Sequence, residues 1–176
     1  TLTDLNSMAA ELDVYAKFNQ KDLHIHPQSE NINARLLLLE KKWNTDHTAV
    51  PLSLTLSPTP IFAEVDGYYL DRAVDNLVRN AFRHANHRVH VYVQSEPEKL
   101  CVYVENDGAP VPMKDRQRIF EPFVRLDESR ARDTGGTGLG LAITAQIAKA
   151  HGGNIEVDDG DLGGARFVIQ LPWTLK

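Results

Sequence analysis

Residues 135–143 read Gly-Gly-Thr-Gly-Leu-Gly-Leu-Ala-Ile, a glycine-rich run that leads into a helical pattern over about 139–150. Glycines before a helix let the backbone approach a ligand closely, and the free N–H groups of the first turn favour phosphate. The run is not a Walker A loop, because no Gly-Lys-Ser/Thr follows. It is not a dinucleotide fingerprint either, since that requires a glycine at Leu141 and a strand directly before the run. A flexible hinge is the alternative interpretation.

The composition indicates one ordinary globular domain. The chain has 176 residues, 42% of them hydrophobic, which is enough for a core and too high for disorder. Its 24 acidic and 19 basic residues give a net charge of −5, which argues against general nucleic-acid binding. No segment approaches the roughly 20 apolar residues of a membrane span. The single cysteine, Cys101, excludes an internal disulfide and a cysteine-based zinc site, and favours a reducing, intracellular setting.

The periodicity of the apolar residues predicts an α+β fold. Helices and strands intermix without strict alternation, which favours packed layers of the two. A buried strand is the alternative interpretation of the leucine-rich segment 33–43. Helices are predicted over 1–18, 33–43, 69–85 and 139–150, a short helix over 114–120, strands over 52–56, 60–65, 88–95, 100–104, 155–157 and 165–171, and a linker over 19–31.

The predicted helix over 69–85 carries an unusual polar face. Asparagine is a poor helix former, yet Asn76 and Asn80 lie one turn apart beside the apolar stripe. Their amide oxygens are suitable ligands for a hard cation such as Mg²⁺. Arg83, His84 and His87 follow on the same face, where the first two could meet phosphate. The alternative is that these residues are merely solvated.

Two further segments carry candidate site residues. Residues 105–111, Glu-Asn-Asp-Gly-Ala-Pro-Val, follow a predicted strand, where a carboxylate or amide could recognise an adenine edge. An ordinary turn is the alternative, because Asn, Asp, Gly and Pro are typical turn residues. Residues 119–123, Ile-Phe-Glu-Pro-Phe, precede Arg125, Arg130 and Arg132. The phenylalanines are typical of a core, and the arginines could clamp phosphates or solvate a loop.

The order of these segments resembles a known family. Asn76-x-x-x-Asn80, Asn106-Asp107-Gly108, Phe120-x-x-Phe123 and Gly136-x-Gly138-x-Gly140 resemble the N, G1, F and G2 boxes of sensor histidine kinases. Their ATP-binding domain is shared with gyrase, Hsp90 and MutL, and the resemblance covers about 52–172. It implies a two-layer α/β sandwich of the Bergerat type, with a mixed sheet covered on one face by helices. It also implies ATP and Mg²⁺ as cofactors.

The resemblance implies a role for each matching residue. Asn80 matches the magnesium ligand, with Asn76 one turn before it, and Arg83 and His84 match positions that meet phosphates. A lid over 124–134 would hold Arg125 and Arg130 near the γ-phosphate, which makes Asn76, Asn80, Arg83, Arg125 and Arg130 the catalytic set. The other implied cofactor-binding residues are Asn106, Asp107, Gly108, Val111, Phe120, Phe123, Gly136, Thr137, Gly138, Leu139, Gly140 and Leu141.

The G1 segment departs from the family pattern Asp-x-Gly-x-Gly. Asn106 stands where the family has the aspartate that accepts a bond from the adenine amino group, and a neutral amide is a weaker acceptor. Pro110 replaces a glycine, and proline cannot adopt a positive φ. An alternative is that Asp107 serves in place of Asn106. These departures would fit a degenerate module of the same fold that binds nucleotide weakly.

The residue types favour a protein substrate over water. Hydrolysing relatives have glutamate at the position of Asn76, and an amide cannot act as a general base. The expected function is therefore transfer of the ATP γ-phosphoryl group to a histidine, for relay to an aspartate of a response regulator. Histidine kinases of this kind outweigh a serine-kinase anti-sigma factor or an ATPase of the same fold. The weakly binding regulatory module is the alternative function.

The phosphoacceptor is expected outside this chain. None of its seven histidines stands in the expected His-Glu/Asp-x-x-x-Pro setting, so the chain alone is not expected to label itself. Residues 1–20 are interpreted as the end of a dimerisation and phosphoacceptor helix pair, 21–50 as a linker and the first helix of the catalytic domain, and 51–176 as the ATP-binding catalytic domain.

The same resemblance implies partners and a location. The partners would be the chain's own dimerisation domain and a response regulator, with no contact to nucleic acid or membrane. The full protein would be a homodimer, whereas this fragment would be monomeric. Residues 123–127, Phe-Val-Arg-Leu-Asp, look closest to kinases of the bacterial inner membrane, which implies a cytoplasmic domain of such a protein.

Overall fold

The computed structural model describes residues 2–19, 24–46, 49–126 and 138–173. Among these residues, no helix combines the length and the apolar character that crossing a membrane requires. The helices are α1 (Leu2–Asn19), α2 (Ile32–Asp46), α3 (Gly67–His84) and α4 (Gly140–Ala150), and the strands are β1 (Gln28–Asn31), β2 (Leu52–Thr55), β3 (Phe62–Val65), β4 (Val89–Ser95), β5 (Lys99–Asn106), β6 (Asn154–Asp159) and β7 (Ala165–Pro172).

Five strands form a mixed sheet in the order β2-β4-β5-β7-β6. The β2–β4 pair is parallel, and the other three pairs are antiparallel. Side chains alternate between the two faces of each strand, so Leu100, Val102 and Val104 of β5 share the face that joins the core cluster. This arrangement confirms the predicted α+β class.

The helices cover that face of the sheet. The apolar stripe of α3, including Val74 and Leu77, is fully buried together with Ile143 of α4. Burial of each such side chain contributes about 1.5–3 kcal/mol. Trp43 of α2 is also fully buried, and its indole N–H donates to Asp75 Oδ1 at 3.0 Å. Packing therefore holds α2 and α4 each against α3, on one side of the sheet.

The start of α3 is bonded to the end of α4. Asp66 caps α3, because its carboxylate accepts the N–H of Tyr69 at 3.4 Å. The Asp66 N–H in turn donates to Nε2 of the buried His151 at 3.0 Å. The Nδ1 atom of His151 lies 2.8 Å from the Ile147 carbonyl oxygen, so this nitrogen carries the proton and the ring is neutral.

Several elements differ from their sequence predictions. Strand β1 lies within segment 19–31, which was predicted to be a linker. The prediction missed it because its Gln-Ser-Glu-Asn sequence has no apolar alternation, and the strand pairs with β3 through its backbone. Residues 114–120 form two 3₁₀ helices, Met113–Asp115 and Arg118–Phe120, instead of one α-helix. Segment 33–43 is helical, as predicted, and not the buried strand that was its alternative. His87 lies beyond the end of α3 and not on its polar face.

Candidate functional site

Asn76 joins α3 to the first residue of α4. Its side chain is only 5% exposed, and its amide nitrogen donates to the carbonyl oxygen of Gly140 at 3.3 Å. Its amide oxygen accepts a bond from Arg79 at 2.9 Å, and Arg79 is held by an ion pair with Asp75 at 3.1 Å. The amide of Asn76 is therefore oriented by groups of this chain on both of its sides.

Asn80 lies one helical turn further along the same face of α3 and is half-buried. No described residue forms a hydrogen bond with its side chain. An amide oxygen that is partly shielded from water and has no partner within the described chain can serve a ligand from outside. The polar face of α3 thus offers one engaged amide and one available amide.

Arg79 and Arg83 lie one turn apart on α3, and the charge of Arg125 also acts on Arg83. Desolvation lowers the pKa of Arg83, the charges of Arg79 and Arg125 lower it further, and the charge of Glu11 raises it. Guanidinium groups remain protonated at neutral pH despite such shifts, so these arginines are cationic. Bidentate donors of this type bind phosphate oxygens well.

The start of α4 adds a second anion-binding feature. Helix α4 has 11 residues, and Leu139 at its N-terminal cap position makes no side-chain capping bond. The first N–H groups of a helix lack intrahelical partners and carry a partial positive charge, which favours an anion. Because Asn76 is bonded to Gly140, this helix start lies beside the polar face of α3.

The two phenylalanines of the predicted F box occupy different environments. Phe120 packs edge-on against Phe167 of β7, with ring centroids 6.1 Å apart. Phe123 is 61% exposed, has a positive φ of 65°, and donates its N–H to the Gly138 carbonyl oxygen at 2.8 Å. A Cβ at Gly138 would lie 2.8 Å from the Phe123 Cα, so this close approach requires glycine. Phe123 and Gly138, the residues on either side of segment 124–137, are therefore hydrogen-bonded to each other.

Strand β5 ends in a tight arrangement around Asn106. Asn106 is 1% exposed, and its Oδ1 accepts the N–H of Gly108 at 2.8 Å. A Cβ at Gly164 would lie 2.5 Å from the Asn106 carbonyl oxygen and 2.7 Å from that of Gly108. The segment 106–108 and the turn before β7 therefore pack backbone against backbone.

Asp107 anchors the loop that follows α3. Its carboxylate accepts the backbone N–H groups of Asn86, His87 and Arg88 at 2.8–3.2 Å. These bonds, with that of His87 the strongest, lower the pKa of Asp107 to about 2. A carboxylate engaged by three backbone donors is not free to replace Asn106 at a nucleobase, which argues against the alternative raised from the sequence.

The pKa of Asp107 predicts a dependence of stability on pH. The ordinary value is 3.8 and the folded value is about 2, so the ionised form favours the folded state. This contribution is complete above about pH 4 and is lost as the pH falls towards 2. We expect Asp107→Asn to lower the urea midpoint at pH 6, and this deficit to shrink below about pH 4. The exposed Asp161→Asn serves as a control, and an equal deficit at every pH would contradict the assignment.

A family model matches this architecture. The model of the histidine kinase-, DNA gyrase B- and HSP90-like ATPases matches residues 65–175, which include α3, β5, α4 and β7. The chain belongs to this family. It is 37% identical to sensor histidine kinase CpxA of Escherichia coli K12, over 96% of this chain and 37% of that protein. It is 35% identical to sensor protein RstB of the same strain, over 97% of this chain and 40% of that protein.

Two solved structures share the fold. Full-length ShkA in complex with AMPPNP aligns with a TM-score of 0.83 at 24% identity, over 98% of this chain and 36% of ShkA. The ATP-binding domain of PrrB from Mycobacterium tuberculosis aligns with a TM-score of 0.70 at 28% identity, over 84% of this chain and 97% of PrrB. The chain thus spans 36–40% of the length of CpxA, RstB and ShkA.

Most of the predicted site residues of this histidine kinase-like ATPase domain lie among the described residues. The Asn76 amide is hydrogen-bonded to the start of α4, and Asn80 and Arg83 follow on the same helix. The carbonyl oxygen of Val111 accepts a bond from Arg116 at 3.2 Å. His84 is exposed, Leu139 is buried, and Leu141 is half-buried. Arg130, Gly136 and Thr137, with most of the predicted lid, lie outside the described residues.

Two residues of this domain's site were not predicted from the sequence. Asp75 pairs with Arg79, and Arg79 in turn holds the Asn76 oxygen. The sequence does show this pair, since an acid and an arginine four residues apart face one another on a helix. It does not mark the pair as part of a site, because such pairs are common on solvated helix surfaces.

Proposed function

We propose that this chain is the ATP-binding catalytic domain of a two-component sensor histidine kinase. It transfers the γ-phosphoryl group of ATP to a histidine on a dimerisation domain, for relay to an aspartate of a response regulator. One observation carries the proposal. On α3, Asn80, whose side chain has no hydrogen-bond partner among the described residues, lies between Arg83 and Asn76, and Asn76 is hydrogen-bonded to the first residue of α4. A cation ligand and two phosphate-binding features thus share one face.

The donor set fits a magnesium ion bound together with nucleotide phosphates. Mg²⁺ takes oxygen ligands and is usually held by one or two protein groups plus substrate phosphates. Asn80 supplies such an oxygen, and no cluster of three or more acidic, histidine or cysteine side chains competes for the metal within the described ranges. When bound, the ion would neutralise charge on the phosphates. Asn76 could join only by releasing the bond from Arg79.

The chain's own residues favour transfer to a protein acceptor. Asn76 cannot remove a proton from water, so this position does not support hydrolysis. Arg83 and Arg125 provide positive charge that stabilises the transferred group, and the N–H groups at the start of α4 orient the phosphates. Catalysis then depends on positioning and electrostatics, with the nucleophilic imidazole supplied by another domain.

The N-terminal helix fits the proposed partner domain. Leu5, Met8 and Leu12 of α1 recur at helical spacing and are all at least 40% exposed. We interpret residues 1–20 as the end of a dimerisation and phosphoacceptor helix pair, through which the full protein forms a homodimer. The resemblance of residues 123–127 to inner-membrane kinases supports a location in the cytoplasm of a bacterium.

A labelling experiment tests the proposal. The chain is incubated with Mg²⁺, γ-labelled ATP and a separately supplied sensor-kinase dimerisation domain that carries the acceptor histidine. We expect acid-labile label on that domain and none on this chain alone, because a phosphohistidine forms only when the acceptor is present. A dimerisation domain with the histidine replaced by glutamine is the control. Nucleotide binding without any labelling would contradict phosphoryl transfer and favour a regulatory module of the same fold.

A further inference from the structure

The amide of Asn106 is held in one orientation. Its Oδ1 accepts the N–H of Gly108 at 2.8 Å, whereas no described residue accepts a bond from its Nδ2. Rotation of the amide by half a turn would set its N–H donors against the N–H of Gly108, which cannot accept a hydrogen bond. At 1% exposure the residue has no room for another rotamer in solvent. Asn106 therefore presents a fixed N–H donor.

The neighbouring acidic residues face elsewhere. Glu105 points to the opposite side of the sheet, where its carboxylate accepts bonds from the Tyr92 hydroxyl at 2.9 Å and the Leu162 N–H at 3.1 Å. The carboxylate of Asp107 is engaged by the loop after α3. Asn106 alone of these three has its side chain on the helix-covered face of β5, the face on which α3 and α4 pack.

We infer that Asn106 allows this site to bind 6-oxopurine nucleotides nearly as well as adenine nucleotides. The inference rests on the proposed function and on the resemblance described above, which sets Asn106 where the family contacts the adenine amino group. Adenine carries a donor, an amino group, at position 6, whereas guanine and hypoxanthine carry an acceptor, a carbonyl oxygen. A carboxylate only accepts hydrogen bonds and so repels a 6-oxo group. The amide offers both the fixed N–H donor and the second lone pair of Oδ1.

Calorimetry with two matched nucleotides tests this inference. Mg·ADP and Mg·IDP differ at position 6 of the base, and hypoxanthine lacks the 2-amino group that could confound a comparison with guanine. We expect the wild-type dissociation constants to agree within about threefold. In Asn106→Asp, a nearly isosteric change, ADP should bind about 30-fold or more tightly than IDP, because the 6-oxo group then faces an acceptor-only carboxylate.

A second measurement on the wild type does not depend on folding of the variant. The diphosphate of unsubstituted purine riboside has no group at position 6, so it should bind about three- to tenfold more weakly than either nucleotide. Equal binding of all three would show that Asn106 does not read position 6 and would overturn the inference.

The remaining outcomes separate the inference from the proposed function. Asn80→Ala should weaken ADP and IDP equally and leave their ratio unchanged, since it acts through the phosphates. Two results would overturn the inference while leaving ADP binding intact. The wild type could prefer ADP over IDP as strongly as Asn106→Asp does, or both proteins could bind ADP and IDP equally well. Failure of the wild type to bind either nucleotide would overturn both.

Discussion

Replacement of Asn80 by alanine is expected to reduce Mg²⁺-dependent nucleotide binding by about 100-fold or more, and to abolish labelling of a supplied phosphoacceptor domain. The reason is that Asn80 is the amide on the polar face of α3 without a partner among the described residues, so its oxygen is the one available to the metal. Calorimetry with Mg·ADP measures the first effect directly.

The loss should not come from unfolding. Asn80 is half-buried and its side chain makes no hydrogen bond to any described residue, so alanine removes no internal contact of that kind. Alanine is also the better helix former, by about half a kcal/mol. We therefore expect a melting temperature equal to or above that of the wild type. Asn44→Ala, an asparagine-to-alanine change at an exposed position of α2, should leave both binding and stability unchanged.

A measurement without magnesium isolates the role of the metal. In the presence of a chelator, the wild type and Asn80→Ala should bind ADP equally weakly, because the difference between them depends on the ion. Unequal binding under these conditions would assign Asn80 to direct contact with the nucleotide instead. Binding of Mg·ADP by Asn80→Ala at wild-type strength would remove this residue from the site.

The α3 site could be predicted because its signals are local. Two asparagines one turn apart on an amphipathic helix contradict helix propensity, and such a conflict points to function. The bond from Asn76 to Gly140 could not be predicted, since the two residues are 64 positions apart in the sequence. The bond from Arg79 is local, but the sequence did not distinguish it from an ordinary contact on a solvated helix surface. Sequence spacing therefore identified the pair of amides but not which of them is available.

At the end of β5, in contrast, neighbouring residues in the sequence did not decide the site. Asn106 and Asp107 are adjacent, and the sequence alone left open which of them meets a base. The choice depends on the faces of the sheet and on three backbone N–H groups about 20 residues earlier, which attract the Asp107 carboxylate. Strand β1 was missed for a related reason, because its pairing with β3 uses backbone bonds and not an apolar pattern.

Gly108→Ala is expected to destabilise the fold by about 3 kcal/mol or more, which lowers the melting temperature by about 6–12 °C in a domain of this size. A Cβ at Gly108 would overlap the carbonyl oxygen of His84, the last residue of α3. That oxygen belongs to the backbone of a packed helix, so neither side can move without disturbing α3 or the end of β5. Gly108 is therefore required for its size and not for a positive φ, since it is not among the residues with positive φ.

Gly140→Ala provides the matched glycine control. A Cβ there would meet the Asn76 side chain at 3.9 Å, an ordinary contact, and alanine in a helix gains up to about 1 kcal/mol over glycine. Thermal unfolding should therefore show a large loss for Gly108→Ala and no loss for Gly140→Ala. If Gly108→Ala is as stable as the wild type, the end of α3 must lie further from the end of β5 than the structure shows. The loop after α3, which Asp107 binds, would then also lie further away. In that case Asp107→Asn should not show the pH-dependent loss of stability predicted above.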